Sequence, residues 1–160
     1  MPVKKTKKLT SKGVRLVMNT AIAKAEEFGI AVTVAIVDAG GHLLMLERMD
    51  GGRFHTVHSS TTKAVCAASN MRPTTTKGAQ AQSLDTLHAL GLALAAGPGN
   101  WTAMEGGFPI FIDNECIGGI GVSGGDWEQD ETIAKVSLAA IDATFQLRPG
   151  SRGPGTDSTL

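Results

Sequence analysis

Apolar residues recur at steps of three and four near the start of the chain, a spacing that is typical of an amphipathic helix. They are Val14, Val17, Met18, Ala21, Ile22, Ala25 and Phe28. Thr10 and Ser11 stand before them as candidate N-terminal caps, and Gly29 follows as a natural C-terminal stop. The pattern therefore predicts a first helix that ends near Phe28.

Two pairs of short, β-branched or apolar runs predict two hairpins. Residues 31–37 and 42–47 flank the turn sequence D-A-G-G, and residues 108–112 and 116–122 flank D-N-E. Such runs are too short for helices and have turn residues between them. We expect each pair to form two antiparallel strands.

Three further helices are predicted around the second hairpin. Residues 58–70 and 79–95 are rich in Ala and Leu, and a final helix is predicted from Asp126 to about residue 146. Gln129 lies three residues after Asp126, which completes a capping-box pattern. The element order predicts a single-domain α+β fold in which helices pack on a small antiparallel sheet. Residues 1–8 are expected to form a basic N-terminal arm, residues 9–146 the domain, and residues 147–160 a disordered tail.

Composition excludes several classes of function. Fifteen basic residues balance fifteen acidic ones, and tyrosine is absent. This argues against a nucleic-acid surface or an anionic membrane as partner. Cys66 and Cys116 have no C-x-x-C spacing, so we expect buried thiols in a reducing compartment. With neither a signal-peptide pattern nor a membrane span in the sequence, we expect a cytoplasmic protein.

The densest group of polar side chains runs from residue 50 to residue 63, D-G-G-R-F-H-T-V-H-S-S-T-T-K. Such groups are costly to bury in a core and more easily placed at the wall of a pocket. His55 and His58 are three residues apart and could act as an acid–base pair on one helix face. No carboxylate stands at metal-ligand spacing, so we expect no metal here. A simpler interpretation makes His58 a polar residue at the start of a helix.

Cations in and near this segment could bind an acidic ligand. Arg53, Arg72 and Lys63 are the candidates, with the hydroxyl of Ser59 beside them. Lys63 enters an apolar helix, so it could carry a lowered pKa or hold a substrate carboxylate. It could equally extend along the surface with its ammonium group in water.

Two glycine-rich corners could place backbone amides against a ligand. Gly106 and Gly107 precede a strand, and Ser123, Gly124 and Gly125 precede the final helix. Free amides and the helix dipole at a helix N-terminus favour an anion. The capping residue that follows the second corner competes for those amides.

Several motifs in order resemble the GlcG/HbpS family, also found as the C-terminal domain of PduO-type cobalamin adenosyltransferases. They are I-V-D-A-G-G-H-L (36–43), R-M-D-G (48–51), T-K-A (62–64), G-G-F-P-I (106–110) and I-G-G-I-G-V-S-G-G (117–125), followed by Asp130. The resemblance extends from about Leu9 to Ala143. It implies a five-stranded antiparallel sheet covered by helices, and assembly into dimers or larger homo-oligomers.

The resemblance leaves two functional hypotheses. Some members of the family bind haem, which implies a pocket protein for haem or another small ligand; no axial ligand is carried over to this chain. Others stand beside genes for the catabolism of small acids, which implies a cofactor-independent tautomerase, isomerase or lyase acting on a small carboxylate. In that case His55 or His58 would move protons and Lys63 and Arg53 would hold the acid. The polarity of residues 53–63 favours the enzyme, because haem pockets are largely apolar. A subunit that serves only assembly is a third hypothesis, and it leaves the polar segment unused.

Overall fold

The computed structural model describes residues 1–147, so the predicted disordered tail lies, apart from Leu147, outside the described residues. The helices and strands are α1 (Ser11–Phe28), β1 (Thr33–Asp38), β2 (Leu43–Arg48), α2 (Thr56–Asn70), α3 (Thr86–Ala96), β3 (Gly107–Ile112), β4 (Glu115–Ser123) and α4 (Trp127–Leu138), with a short 3₁₀ helix at Ala139–Ile141. The predicted α+β class is confirmed.

The sheet has four antiparallel strands in the order β2-β1-β4-β3. Both predicted hairpins are present. The expectation of five strands is wrong for residues 1–147, where Thr144 contributes only a single bridge to the edge strand β3. Its amide and carbonyl exchange two hydrogen bonds with Phe111, of 3.0 and 2.8 Å. The chain turns at Asp142, whose φ is 54°, and so only this short segment runs along the edge.

Helices cover both faces of the sheet, and the alternation of side chains along each strand assigns residues to one face or the other. Val34 and Ile36 of β1 pack with residues of α1 and α4 in the larger core. Ala35 and Val37 point to the opposite face and pack with Ala64 and Ala68 of α2.

The glycines of β4 let α2 lie directly on the sheet. A Cβ atom at Gly121 would overlap the carbonyl oxygen of Ser60, and one at Gly119 would overlap that of Ala64. Side chains at these positions would therefore push the helix away from the sheet. This close approach fixes where the polar residues of α2 lie relative to the end of β4.

The predicted caps are present, whereas two helix boundaries differ from the prediction. Thr10 accepts a hydrogen bond from the Gly13 amide, Gly29 ends α1 with φ 69°, and Asp126 and Gln129 form the capping box. The third helix begins at Thr86 rather than residue 79, because Asp85 caps it. The last α-helix ends at Leu138 rather than near residue 146, because the following residues turn towards the edge of β3.

Helix α3 stands apart from the rest of the fold. None of its residues is buried, and among the described residues it packs against no other helix or strand. Leu87 is 77% exposed and Leu94 is 67% exposed. No helix within residues 1–147 is both long enough and apolar enough to cross a bilayer.

Candidate functional site

The start of α2 lies against the end of β4. The hydroxyls of Ser59 and Ser123 are 2.6 Å apart, and Arg53 donates to the carbonyl oxygen of Gly124 at 3.5 Å. His55 and His58 are exposed at the same end of the helix. The structure therefore brings these six residues together at one end of α2.

Two amides of the corner at residues 123–126 are used within the fold. The Gly125 amide donates to Asp130 Oδ1 at 2.9 Å, and the Asp126 amide donates to Gln129 Oε1 at 3.0 Å. An anion from solution would have to displace one of these two side chains to reach either amide. Whether Gly124 and Gly125 contact a ligand stays a prediction.

Lys63 is buried one turn further along α2 and forms an ion pair with Asp130. Its Nζ donates to Asp130 Oδ2 at 3.2 Å and to the carbonyl oxygen of Val122 at 2.7 Å, and each charged side chain is 5% exposed. Burial lowers the pKa of Lys63 and raises the pKa of Asp130, and each shift is opposed by the charge of the other partner. Asp130 was not predicted as the partner of Lys63, although it follows the last family motif.

Gly106 and Gly107 make room for this ion pair and for α2. A Cβ atom on Gly106 would lie 3.1 Å from Lys63 Nζ and 2.7 Å from the Val122 oxygen. The Gly107 amide donates to Thr74 Oγ1 at 2.9 Å. These positions explain the two glycines by packing, and contact with a ligand stays a prediction.

Arg72 does not join the residues at the start of α2. The helix has 15 residues, and at about 1.5 Å per residue it separates its two ends by roughly 22 Å. Arg72 follows the C-terminal end. The predicted ligand-binding residues are therefore divided between both ends of one helix.

A large cleft lies elsewhere, between the N-terminal arm and the β1–β2 turn, and has a volume of about 780 Å³. Most of its walls are apolar, and they include Leu9, Leu44, Met71, Phe111 and Ile117. Polar groups in the lining include those of Lys4, Lys7, Lys8 and His42.

Lys7 holds the N-terminal arm against the rest of the fold, because its Nζ lies 3.5 Å from Asp113 and 3.7 Å from Glu115.

Asp38 fixes the orientation of His42 at this cleft. Asp38 Oδ1 accepts hydrogen bonds from the amides of Gly40 and His42, at 2.9 and 3.0 Å, and lies 3.2 Å from Nδ1 of His42. The pKa of Asp38 is lowered, and the hydrogen bond from the His42 amide is the main cause. The ionised carboxylate can only accept hydrogen bonds. In the neutral imidazole, a hydrogen bond to this carboxylate places the proton on Nδ1 and the lone pair on Nε2. The imidazole is 82% exposed.

This site was not predicted from the sequence, although the spacing D-A-G-G-H is typical of a turn in which the aspartate accepts hydrogen bonds from the amides that follow it. An aspartate often accepts from amides two to four residues ahead of it in a turn. Within residues 1–147, no cluster of three or more His, Cys, Asp or Glu side chains is arranged to hold a metal ion.

Comparison with known proteins yields one family throughout. Residues 9–139 match the model of the family described as haem degrading protein HbpS-like. The chain is 32% identical to a 15.0 kDa protein of the dhaT-dhaS intergenic region of Citrobacter freundii, over 72% of this chain and 80% of that protein. It is 35% identical to GlcG of Escherichia coli K12, over 62% of this chain and 69% of GlcG.

A solved structure, the complex of PduOC with haem, has the same fold. It superposes with a TM-score of 0.75 at 26% identity, over 87% of this chain and 99% of PduOC.

Proposed function

The chain belongs to the HbpS-like family, and from this we propose that it is a pocket protein that binds haem and assembles as a homo-oligomer. PduOC, which is similar over nearly its whole length, is described as a haem complex. The observation that carries the proposal here is the cleft at His42. It combines apolar walls with an imidazole whose free Nε2 is set by Asp38.

The residues of the cleft fit the chemistry of haem. Haem sites are largely apolar and place one nitrogen or sulfur ligand at the iron. His42 would hold the iron through Nε2, and a carboxylate that accepts from the other ring nitrogen is the usual support for such a histidine. Lys4 and Lys8 would stand near the propionate groups, which they could pair with. Bound haem would supply a redox-active iron.

Helix α3 supports the homo-oligomer. Its leucines are exposed in the isolated chain, and contiguous exposed apolar surface commonly marks a protein interface. A second copy of the chain is the occupant we propose for this face. Cys66 and Cys116 are free thiols, which supports the cytoplasm as the location.

The test is a titration of hemin followed by the Soret band. We expect wild-type protein to saturate at one haem per chain. His42→Ala should weaken binding at least tenfold, because it removes the nitrogen that would hold the iron. His88→Ala is the matched control, since His88 lies on α3 and lines other cavities. Binding that does not saturate, or that is equally strong in His42→Ala, would overturn the assignment of the cleft.

A second candidate function is the cofactor-independent enzyme, and the contacts at the start of α2 favour it. His55 and His58 are exposed beside the Ser59–Ser123 hydrogen bond, and Arg53 lies at the same corner. A histidine near neutral pH can move a proton while an arginine holds a carboxylate. A catalytic role for Lys63 would first require its Nζ to leave Asp130.

Tautomerisation of phenylpyruvate, followed by the absorbance of the enol, tests this candidate. We expect turnover in the wild type, its loss when His55 and His58 are both replaced by alanine, and a raised KM in Arg53→Gln. Absence of turnover over a panel of α-keto acids, or activity unchanged in the double variant, would reject it.

A further inference from the structure

A second, smaller cavity lies beyond the C-terminal end of α2, between that helix, the loop that follows it and α3. Its volume is about 370 Å³. The residues that decide its chemistry are Arg72, Lys77, His88, Trp101, Leu84 and Leu92. It is distinct from the cleft at His42 and lies at the opposite end of α2 from His55 and His58.

The charges that line this cavity are all of one sign. Arg72 and Lys77 are on its wall, and no aspartate or glutamate is among the lining residues. The guanidinium of Arg72 makes no hydrogen bond or ion pair with any residue from 1 to 147, and Lys77 Nζ has only a long contact of 3.4 Å to the hydroxyl of Ser83. The carboxylate of Glu105 lies outside the lining, where its Oε1 accepts from the amide and the hydroxyl of Thr76, at 3.1 and 2.9 Å. The cavity wall therefore presents two cations and no carboxylate to whatever enters it.

The rest of the lining is apolar or aromatic. The indole of Trp101 and the side chains of Leu84 and Leu92 face the same space as the cations. The volume lies near the lower end of the range of about 300–1,000 Å³ found for ligand pockets. A long acyl chain or a macrocycle is too large for it, whereas a single ring or a short branched chain fits.

We propose that this cavity binds a small organic carboxylate with a compact apolar body. Arg72 pairs with the carboxylate, since a guanidinium can donate two parallel hydrogen bonds to it. Lys77 adds a second positive charge, and His88 offers a ring nitrogen to any further polar group of the ligand. Trp101 packs on the apolar body. The proposal does not depend on haem binding, and it assigns the predicted ligand-binding role of Arg72 to a site separate from Arg53.

Isothermal titration with benzoate and with benzamide tests the proposal on the wild type. The two probes have nearly the same shape, but only benzoate carries a charge. We expect benzoate to bind and benzamide to bind at least tenfold more weakly. Equal binding of the two probes would overturn the proposal, and so would absence of benzoate binding at millimolar concentration.

Variants then locate the site. Arg72→Gln should weaken benzoate binding at least tenfold, and the exposed Lys77→Gln should weaken it several-fold by removing the second charge. Arg15→Gln is the matched control, because Arg15 is an exposed arginine of α1 that lines neither the small cavity nor the cleft at His42, and it should leave benzoate binding unchanged. If Arg72→Gln does not fold, the comparison of Lys77→Gln with Arg15→Gln still decides. Equal effects of the cavity and control variants would overturn the assignment.

These outcomes are separable from those of the proposed function. Hemin titration of Arg72→Gln should match the wild type, because Arg72 does not line the cleft at His42. Loss of benzoate binding with an unchanged Soret titration supports two separate sites. Loss of both in Arg72→Gln would contradict the separation that the structure shows.

Discussion

The buried ion pair of Lys63 and Asp130 gives the sharpest test of the structure. Lys63→Met removes the ammonium group but keeps a side chain of similar length in the same place. The Val122 carbonyl oxygen then loses its 2.7 Å donor, and Asp130 keeps only the Gly125 amide, on Oδ1. Asp130→Asn is the complementary change, since it leaves a buried ammonium group without its counter-charge.

Each single variant should be strongly destabilised. Removing one partner of a buried ion pair costs about 3–5 kcal/mol, because the remaining charge is left in a poorly solvated place. For a chain of this size, 1 kcal/mol corresponds to about 2–4 °C in Tm, so each variant should melt roughly 6–20 °C below the wild type. The double variant contains neither charge, and its Asn can still accept from the Gly125 amide. It should therefore be more stable than either single variant.

Urea unfolding of the four proteins, with a common m value, completes a double-mutant cycle. The control is the more exposed pair of Lys24 and Glu27, whose side chains are 22% and 68% exposed and whose Nζ and Oε1 atoms are 3.1 Å apart. Lys24→Met should change the free energy of unfolding by less than about 1 kcal/mol. If the two single effects at Lys63 and Asp130 add to within about 0.5 kcal/mol in the double variant, the side chains do not interact as described.

Three further predictions follow from close contacts and from burial. Gly121→Ala places a methyl group on the Ser60 carbonyl oxygen, so α2 must move off the sheet. We expect the free energy of unfolding, measured in urea, to fall by about 3 kcal/mol, and a fall of less than about 1 kcal/mol would contradict this packing. Gly40→Ala places a Cβ atom 2.9 Å from the His42 ring, so the ring must turn away. Hemin binding should weaken several-fold while Tm stays near the wild-type value. Unchanged hemin affinity would argue against His42 as the ligand. Burial raises the pKa of Asp130, so the folded state binds more protons than the unfolded state in acid. The stability of the wild type relative to Asp130→Asn should therefore fall as the pH rises through that raised pKa. A rise in relative stability would show that the charge of Lys63 outweighs burial.

Much of the fold could be predicted from the sequence because its signals are local. The Thr10 cap, the Gly29 stop and the capping box from Asp126 to Gln129 involve residues close together in the chain, and all three are present. The end of the last helix could not be predicted in this way. It depends on the pairing of Thr144 with Phe111, two residues 33 positions apart.

The candidate site was predictable only in part, for the same reason. Ser59 and Ser123 could both be named from the sequence, and their hydroxyls are in contact. The environment of Lys63 could not be predicted, because a lysine beside an Ala-rich stretch can extend into water or be buried against a distant partner that the local sequence does not show. Its burial results from the glycines of β3 and β4, which bring α2 close enough for Nζ to reach Val122 and Asp130.

The positions of the histidines make the proposed sites separable within one chain. His42 lies at the large cleft, His55 and His58 at the start of α2, and His88 at the small cavity beside α3. These histidines lie on different parts of the fold, namely the β1–β2 turn, the start of α2 and α3, so removing one imidazole should leave the others in place. Loss of the Soret band only in His42→Ala would therefore assign haem to the cleft, and loss of turnover only with His55 and His58 replaced would place the chemistry at the helix start. A variant that abolished both would mean that one ligand spans sites which the fold holds apart.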